Sequence, residues 1–162
     1  TNMDVVFNGV SGRMADKLDL YHRQVLQPEG DPMAGNGFGI IGKLQQPVES
    51  MAFLQQVKEI FRCDRLRHTT PHTPSIQRVA VCGGAGASFF KQALARQADI
   101  YISGDFKYHD FFLTENRIMI ADIGHYESEQ FTKEIFYEIL TKKISKFAVQ
   151  FSEINTNPIK YL

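Results

Sequence analysis

The chain lacks net charge: eighteen Lys and Arg offset eighteen Asp and Glu across 162 residues. A balanced chain presents no broad electrostatic footprint for nucleic acid or for an anionic membrane. Long apolar runs are missing too; none is long enough to cross a bilayer, and no signal-peptide pattern is visible. Trp is absent, and cysteine is confined to Cys63 and Cys82, which lack metal-ligand or redox spacing. A single disulfide is one alternative, but a pair of buried free thiols suits the expectation of a cytoplasmic protein. The chain also carries no internal repeat and no low-complexity tract.

What is there reads as one α/β domain over residues 1–162, long enough to bury a real core. A short apolar run, VVF, and a turn at Asn8-Gly9 precede a helix over residues 11–20, with Ser11 as its N-cap. Residues 26–39, LQPEGDPMAGNGFG, hold four Gly and two Pro and read as a loop, a natural insertion point. The strand FGIIGKL follows, and Pro47 is placed to open the helix VESMAFLQQVKEIF. Met51, Leu54, Val57 or Lys58, and Phe61 recur there at helical spacing, so the helix buries one face. LRHT is a candidate strand.

From Gln77 onward the pattern is regular. RVAVC is an apolar strand, GGAGAS a turn, FFKQALARQA a helix and DIYISG a strand. GDFKYHDFFLTEN is a loop or short helix; RIMIADIG is another strand, before a long helix to about Ile144. FAVQFSEI reads as a closing strand. Apolar strands alternating with helices imply a layered sheet with parallel βαβ units and flanking helices.

Three places could carry chemistry, each with an ordinary alternative. CGGAGAS joins a strand to a helix, where backbone N–H groups can cradle an anion. It lacks the Lys and Ser/Thr of a phosphate-binding loop, and its ordinary reading is a tight turn needing positive φ. SGDFKYHDFF sets Asp105, Lys107, His109 and Asp110 after a strand, at the end where parallel α/β sheets bind ligands; the alternative is a solvated loop. Gly124-His125 also follows a strand. His125 and Glu129, four residues apart, share one helix face if the helix starts this early, and imidazole with carboxylate suits Zn, Mn or Fe. The alternative is a weak surface pair. Asp4 by itself reads as a turn or cap residue, and His22, His68 and His72 have no partner at ligand spacing.

TNMD at the start, then GFGIIGKLQQPVESMAFLQQVKE, RVAVCGGAGAS, ADIYISGDFKYHD, IADIGHYESEQ and the closing NTNPIKYL stand in an order that resembles the Nif-three-like family. Its members are also known as GTP cyclohydrolase I type 2 homologues. The resemblance covers nearly the whole chain, and ISGDFKYHD and GHYESEQ are its strongest segments. It implies a site for two divalent metal ions, Zn, Mn or Fe. Carried over residue by residue, it makes Asp4, His125 and Glu129 metal ligands, with Glu129 the bridge. Beside them, Asp105 or His109 would orient the His125 ring, position water or contact substrate. The family's His-His pair is absent, so the expectation is a C-terminal portion of a member, with an incomplete ligand set. The resemblance further implies a homo-oligomer, a hexameric ring in intact members. Two functions follow as expectations. One is a metal-dependent hydrolase of nucleotide-like or phosphate-containing small molecules. The other is a non-catalytic metal-binding scaffold or regulatory interaction protein. An α/β domain without metal is the third.

Overall fold

A computed structural model describes residues 4–5, 7–31, 35–144 and 146–162; for Asp4 and Val5 it describes the backbone alone. Among the described residues, seven strands form one mixed sheet. They are β1 (Asp4–Val5), β2 (Tyr21–Pro28), β3 (Asn36–Glu49), β4 (Arg67–His68), β5 (Ser75–Ala85), β6 (Ile100–Gly104) and β7 (Met119–Asp122). The order is β1-β3-β5-β6-β7-β4, with β2 paired to β3. β5, β6 and β7 run parallel, and the remaining pairings are antiparallel. The helices are α1 (Val10–Lys17), α2 (Ser50–Ile60), α3 (Phe90–Ala95), α4 (His125–Glu129) and α5 (Thr132–Lys143).

Side chains alternate across the central strands, so the sheet has two buried faces. Ile40, Val79, Val81, Ile100, Ile102, Met119 and Ala121 face Met14 of α1 and Phe53, Leu54 and Val57 of α2. Ile41, Ala80, Cys82, Tyr101 and Ile120 face Phe90 and Ala93 of α3. Burial on both faces explains why β5 to β7 read as unbroken apolar runs, as expected of parallel strands. The layered α/β class expected from the sequence is the class observed. Both cysteines are buried and neither forms a disulfide among the described residues.

Several boundaries differ from the sequence reading, each for a local reason. α1 begins at Val10 on Gly9, and Ser11 is buried inside it, its hydroxyl oxygen accepting from Gly83 N at 3.5 Å. Strands reach into the glycine-rich stretch: β2 runs to Pro28 and β3 starts at Asn36, which leaves only residues 29–35 as the connection. Pro47 lies in β3 within the irregularity between Lys43 and Val48, where a missing N–H costs no ladder bond. The helix instead starts at Ser50, capped by Glu49, whose carboxylate accepts from Met51 N at 3.0 Å and Ala52 N at 2.7 Å. The long C-terminal helix is two. It breaks at Gln130–Phe131, where Gln130 Nε2 donates to Phe61 O at 2.7 Å and Phe131 packs edge-on to Phe61. FAVQFSEI is not a strand; Phe151 stacks on Tyr137 of α5 at 4.7 Å and the tail has no ladder partner. Among the described residues, no helix is long and apolar enough to cross a membrane.

Candidate metal half-site

β5, β6 and β7 end at one rim of the sheet, and the polar residues singled out above gather there. β6 ends in Gly104, followed by Asp105 in the left-handed region, φ 58°. A non-glycine residue held there is strained unless its side chain is engaged, and Asp tolerates it better than most. β7 ends in Asp122, and after Ile123 and Gly124 the chain enters α4 at His125. The two ends touch. A Cβ added to Gly104 would lie 2.8 Å from His125 N and 2.9 Å from Gly124 C, so only glycine admits the close approach.

His125 is held from both sides. Its Nδ1 lies 2.6 Å from Asp105 Oδ2, and its Nε2 lies 3.3 Å from Glu129 Oε2, one helical turn on. The Asp105 hydrogen bond, with further help from Glu129 and against a burial penalty, raises the imidazole above its ordinary 6.5. Both carboxylates are partly exposed, so the pair contributes little to stability and much to ring orientation. His109 lies elsewhere: its ring stands in the exposed 3-10 segment Tyr108–Thr114, against Tyr108 at 5.4 Å and Phe112 at 6.5 Å.

Sequence reasoning missed the residue that holds this rim together. The Asp122 side chain is 4% exposed and takes Gly124 N on Oδ1 at 3.0 Å. Its Oδ2 takes Phe106 N at 3.2 Å and Arg67 Nη2 of β4. One carboxylate thus fixes the loop carrying Asp105 and the turn carrying His125. The available signal was an acid ending an otherwise apolar strand, IMIAD. Ser128, also missed, accepts from Gly84 N at 2.8 Å and donates to His125 O at 2.8 Å, which seats α4 on the end of β5. The glycine stretch is only partly the turn expected: Gly83, Gly84 and Ala85 extend β5 and the chain turns at Gly86, with Gly84 N taken by Ser128 and Gly86 N by Ser103 Oγ at 3.0 Å.

Asp4 belongs to this rim by backbone topology. Gly37 pairs with Pro28 of β2 and also with Asp4 of β1, so β1 and β2 flank β3 on opposite sides. β5 occupies the β1 side up to the pair Ile40–Val81. β1 therefore continues that side where the β5 ladder stops, near the carboxyl end of β5. The Asp4 carboxylate itself lies outside the described residues.

The donors suit a cation in part. An imidazole with Nδ1 committed to a carboxylate and Nε2 turned toward a second carboxylate is the arrangement by which proteins hold a metal-binding histidine. Two donors do not make a site, and among the described residues no three His, Cys, Asp or Glu side chains cluster as one. What stands here is an imidazole and a carboxylate one helical turn apart, at the rim where the Asp4 backbone also lies.

Two cavities meet at His125. One, about 620 Å³, is lined by His125, Tyr126, Glu129, Lys133, Asn157 and Ile159. The other, about 420 Å³, is lined by Arg65, Arg67, Asp105, Asp122, His125 and Tyr161. The tail lines both, pinned where Asn157 Nδ2 donates to the buried Glu127 Oε1 at 3.0 Å. A cavity of similar size, about 640 Å³, lies beside His68, Tyr108 and Phe112, and neither His125 nor Glu129 lines it.

Comparison with known proteins bears on this rim. The family model described as Duf34/NIF3 (NGG1p interacting factor 3) matches residues 1–158. A GTP cyclohydrolase 1 type 2 homolog of Streptococcus pneumoniae is 34% identical over 170 aligned positions, covering 100% of this chain and 63% of that protein. A protein of the same name from Staphylococcus epidermidis is 38% identical over 130 positions, 77% of this chain and 35% of that protein. In fold, the chain matches Staphylococcus aureus hypothetical protein SA1388 with a TM-score of 0.82 at 22% identity, over 96% of this chain and 64% of the other. The chain thus spans less than two thirds of the length of these relatives.

Proposed function

This chain belongs to the Duf34/NIF3 family, and from that premise we propose that it supplies part of a dinuclear metal site in a hydrolase of nucleotide-like or phosphate-containing small molecules. The observation that carries the reading is His125 held between Asp105 and Glu129 at the carboxyl rim of the parallel strands. In the proposal His125 Nε2, Glu129 and Asp4 are ligands, with further donors from outside the described residues. Two divalent ions bound there, Zn, Mn or Fe, would supply a nucleophilic water near neutral pH and neutralise charge on a displaced oxygen. This chain's own residues do the rest. Asp105 keeps the Nδ1 proton of His125 and so leaves Nε2 as the basic nitrogen. Glu129 sits one turn along on the same short helix, which fixes the separation of the two donors. The flanking cavities are large enough for a small molecule beside them. The name borne by the relatives points to a purine nucleotide, and the proposal keeps the wider class.

A second reading, a metal-binding scaffold that assembles as a ring of identical subunits, draws on a different observation. α5 buries no residue and exposes Phe136, Ile139, Leu140 and, at its end, Ile144. It is tied to α1 by ion pairs, Arg13–Glu138 and Lys17–Glu134, and its apolar side chains are available for association. Glu129→Ala in the metal-loaded full-length protein separates the two. Hydrolysis predicts lost turnover on a phosphoester and nucleotide panel with assembly kept; a scaffold predicts lost assembly. No turnover by the parent protein across that panel would remove the hydrolase reading.

A further inference from the structure

We propose that Arg65, shouldered by Arg67, forms an anion subsite for the phosphate group of a small molecule in the cavity beside His125. Arg65 and Arg67 stand two residues apart where the chain enters β4, and both line the cavity of about 420 Å³ that also takes in His125 and Asp105. The charges facing that cavity sort themselves by partner. Asp122 is neutralised by Arg67 and accepts two backbone N–H groups besides. Asp105 is committed to His125. Arg65 is the cavity's cation with no Asp or Glu partner among the described residues.

Its present contacts show what the position accepts. The guanidinium stands over the Tyr161 ring, 5.2 Å from the centroid, and Nη2 donates to the main-chain oxygen of Leu162. An oxygen acceptor is therefore already seated on Arg65, delivered by the tail, with an aromatic wall beneath the fork. Arg67 adds a second guanidinium held rigidly. Its Nη2 is shared by Asp122 and the Phe106 carbonyl, at 2.8 Å for the latter, and its charge lies 5.3 Å from the centre of the Phe111 ring. Its side chain nevertheless stays 58% exposed, and both of these bonds use Nη2 alone of its donor nitrogens. Two planar forks on one wall match the oxygens of a phosphate, and the anion takes the place of the Leu162 oxygen. The inference rests on the proposed reading for its substrate class, and its test runs on metal-free protein so that the two fail separately.

Inorganic phosphate is titrated into ¹⁵N-labelled chain in the presence of a chelator. The expected result is saturable movement of the Arg65 Nε–H and Tyr161 amide signals. Arg65→Gln should bind about tenfold more weakly, the loss of one charge-assisted hydrogen bond, and Arg65→Lys should recover part of the loss. Arg65 is exposed and makes no core contact, so an unchanged melting temperature in Arg65→Gln confirms that the fold is intact. Acetate is the parallel probe; phosphate binding that acetate at equal concentration leaves in place assigns the subsite to phosphate. Three results overturn the proposal: no movement at Arg65 or Tyr161, equal affinity in Arg65→Gln, or displacement of phosphate by equimolar acetate.

Discussion

Replacing Asp122 by Asn tests whether one buried carboxylate organises the rim. Asn keeps an oxygen for Gly124 N but puts an NH₂ where Oδ2 now meets Phe106 N and Arg67. The Phe106 amide is buried, and leaving it unsatisfied costs roughly 1–3 kcal/mol. Arg67 is mostly exposed and regains water, so the lost ion pair adds at most about 1 kcal/mol. The expected loss is about 3 kcal/mol, which for a domain of this size lowers the melting temperature by roughly 6–12 °C. Urea denaturation should show the loss as a shifted midpoint with an unchanged slope. A second consequence is local. Without Phe106 held, Asp105 drifts from His125, and the imidazole titration in metal-free protein falls back toward its ordinary range. A melting temperature within about 2 °C of the parent, together with an unchanged His125 titration, would refute the reasoning.

Three further outcomes follow from the same geometry. In metal-free protein the His125 imidazole titrates above 6.5, and Asp105→Asn lowers its midpoint, because the Asp105 hydrogen bond is the largest cause of the rise; NMR of the ring protons reads both. By linkage, whatever stability this contact contributes is complete below 6.5 and is lost as pH rises through the raised value; a contribution that grows on the alkaline side would contradict the assignment. Gly104→Ala forces a Cβ onto the His125 backbone and should cost roughly 1–3 kcal/mol in thermal or urea denaturation, with the Asp105–His125 contact broken; full stability with an unshifted His125 would show that the approach is looser than described. Asn157→Ala removes the pin between the tail and Glu127, so amide exchange over residues 152–162 should quicken while the strands β5 to β7 keep their protection; equal exchange in both proteins would locate the anchor elsewhere.

How legible this was depended on how local each determinant is. β5, β6 and β7 are buried on both faces, and their unbroken apolar runs announce them. The His125–Glu129 spacing placed both side chains on one helical face, and the strand end placed them at the ligand-binding rim. β2 was missed: His22 has φ 49°, the register shifts between Tyr21 and Gln24, and most of the strand is not buried, so no alternation stands out. The tail misled in the opposite way. FAVQFSEI has the alternation of a strand, but a strand exists only where an edge is offered to it, and its aromatic side chain spends itself on Tyr137. Asp122 was passed over because its role depends on β4, the loop at Phe106 and the turn at Gly124, which share no stretch of sequence. Asp105 was named as a partner of His125, alongside His109. Only coordinates distinguish them, because Asp105, in its left-handed turn, meets the His125 ring while His109 joins the exposed ring cluster of Tyr108 and Phe112.

The central claim is that His125 and Glu129 act together on one cation. Titration of Zn²⁺ into isotope-labelled protein, followed at the imidazole nitrogens of His125 and the side-chain carboxyl carbon of Glu129, tests it directly. Nε2 and the Glu129 carboxyl carbon should shift in step while Nδ1 keeps its proton toward Asp105, and His125→Ala and Glu129→Ala should each weaken binding by about tenfold or more. Zinc bound with undiminished affinity by both variants, or a His125 ring that does not respond to it, would contradict the account.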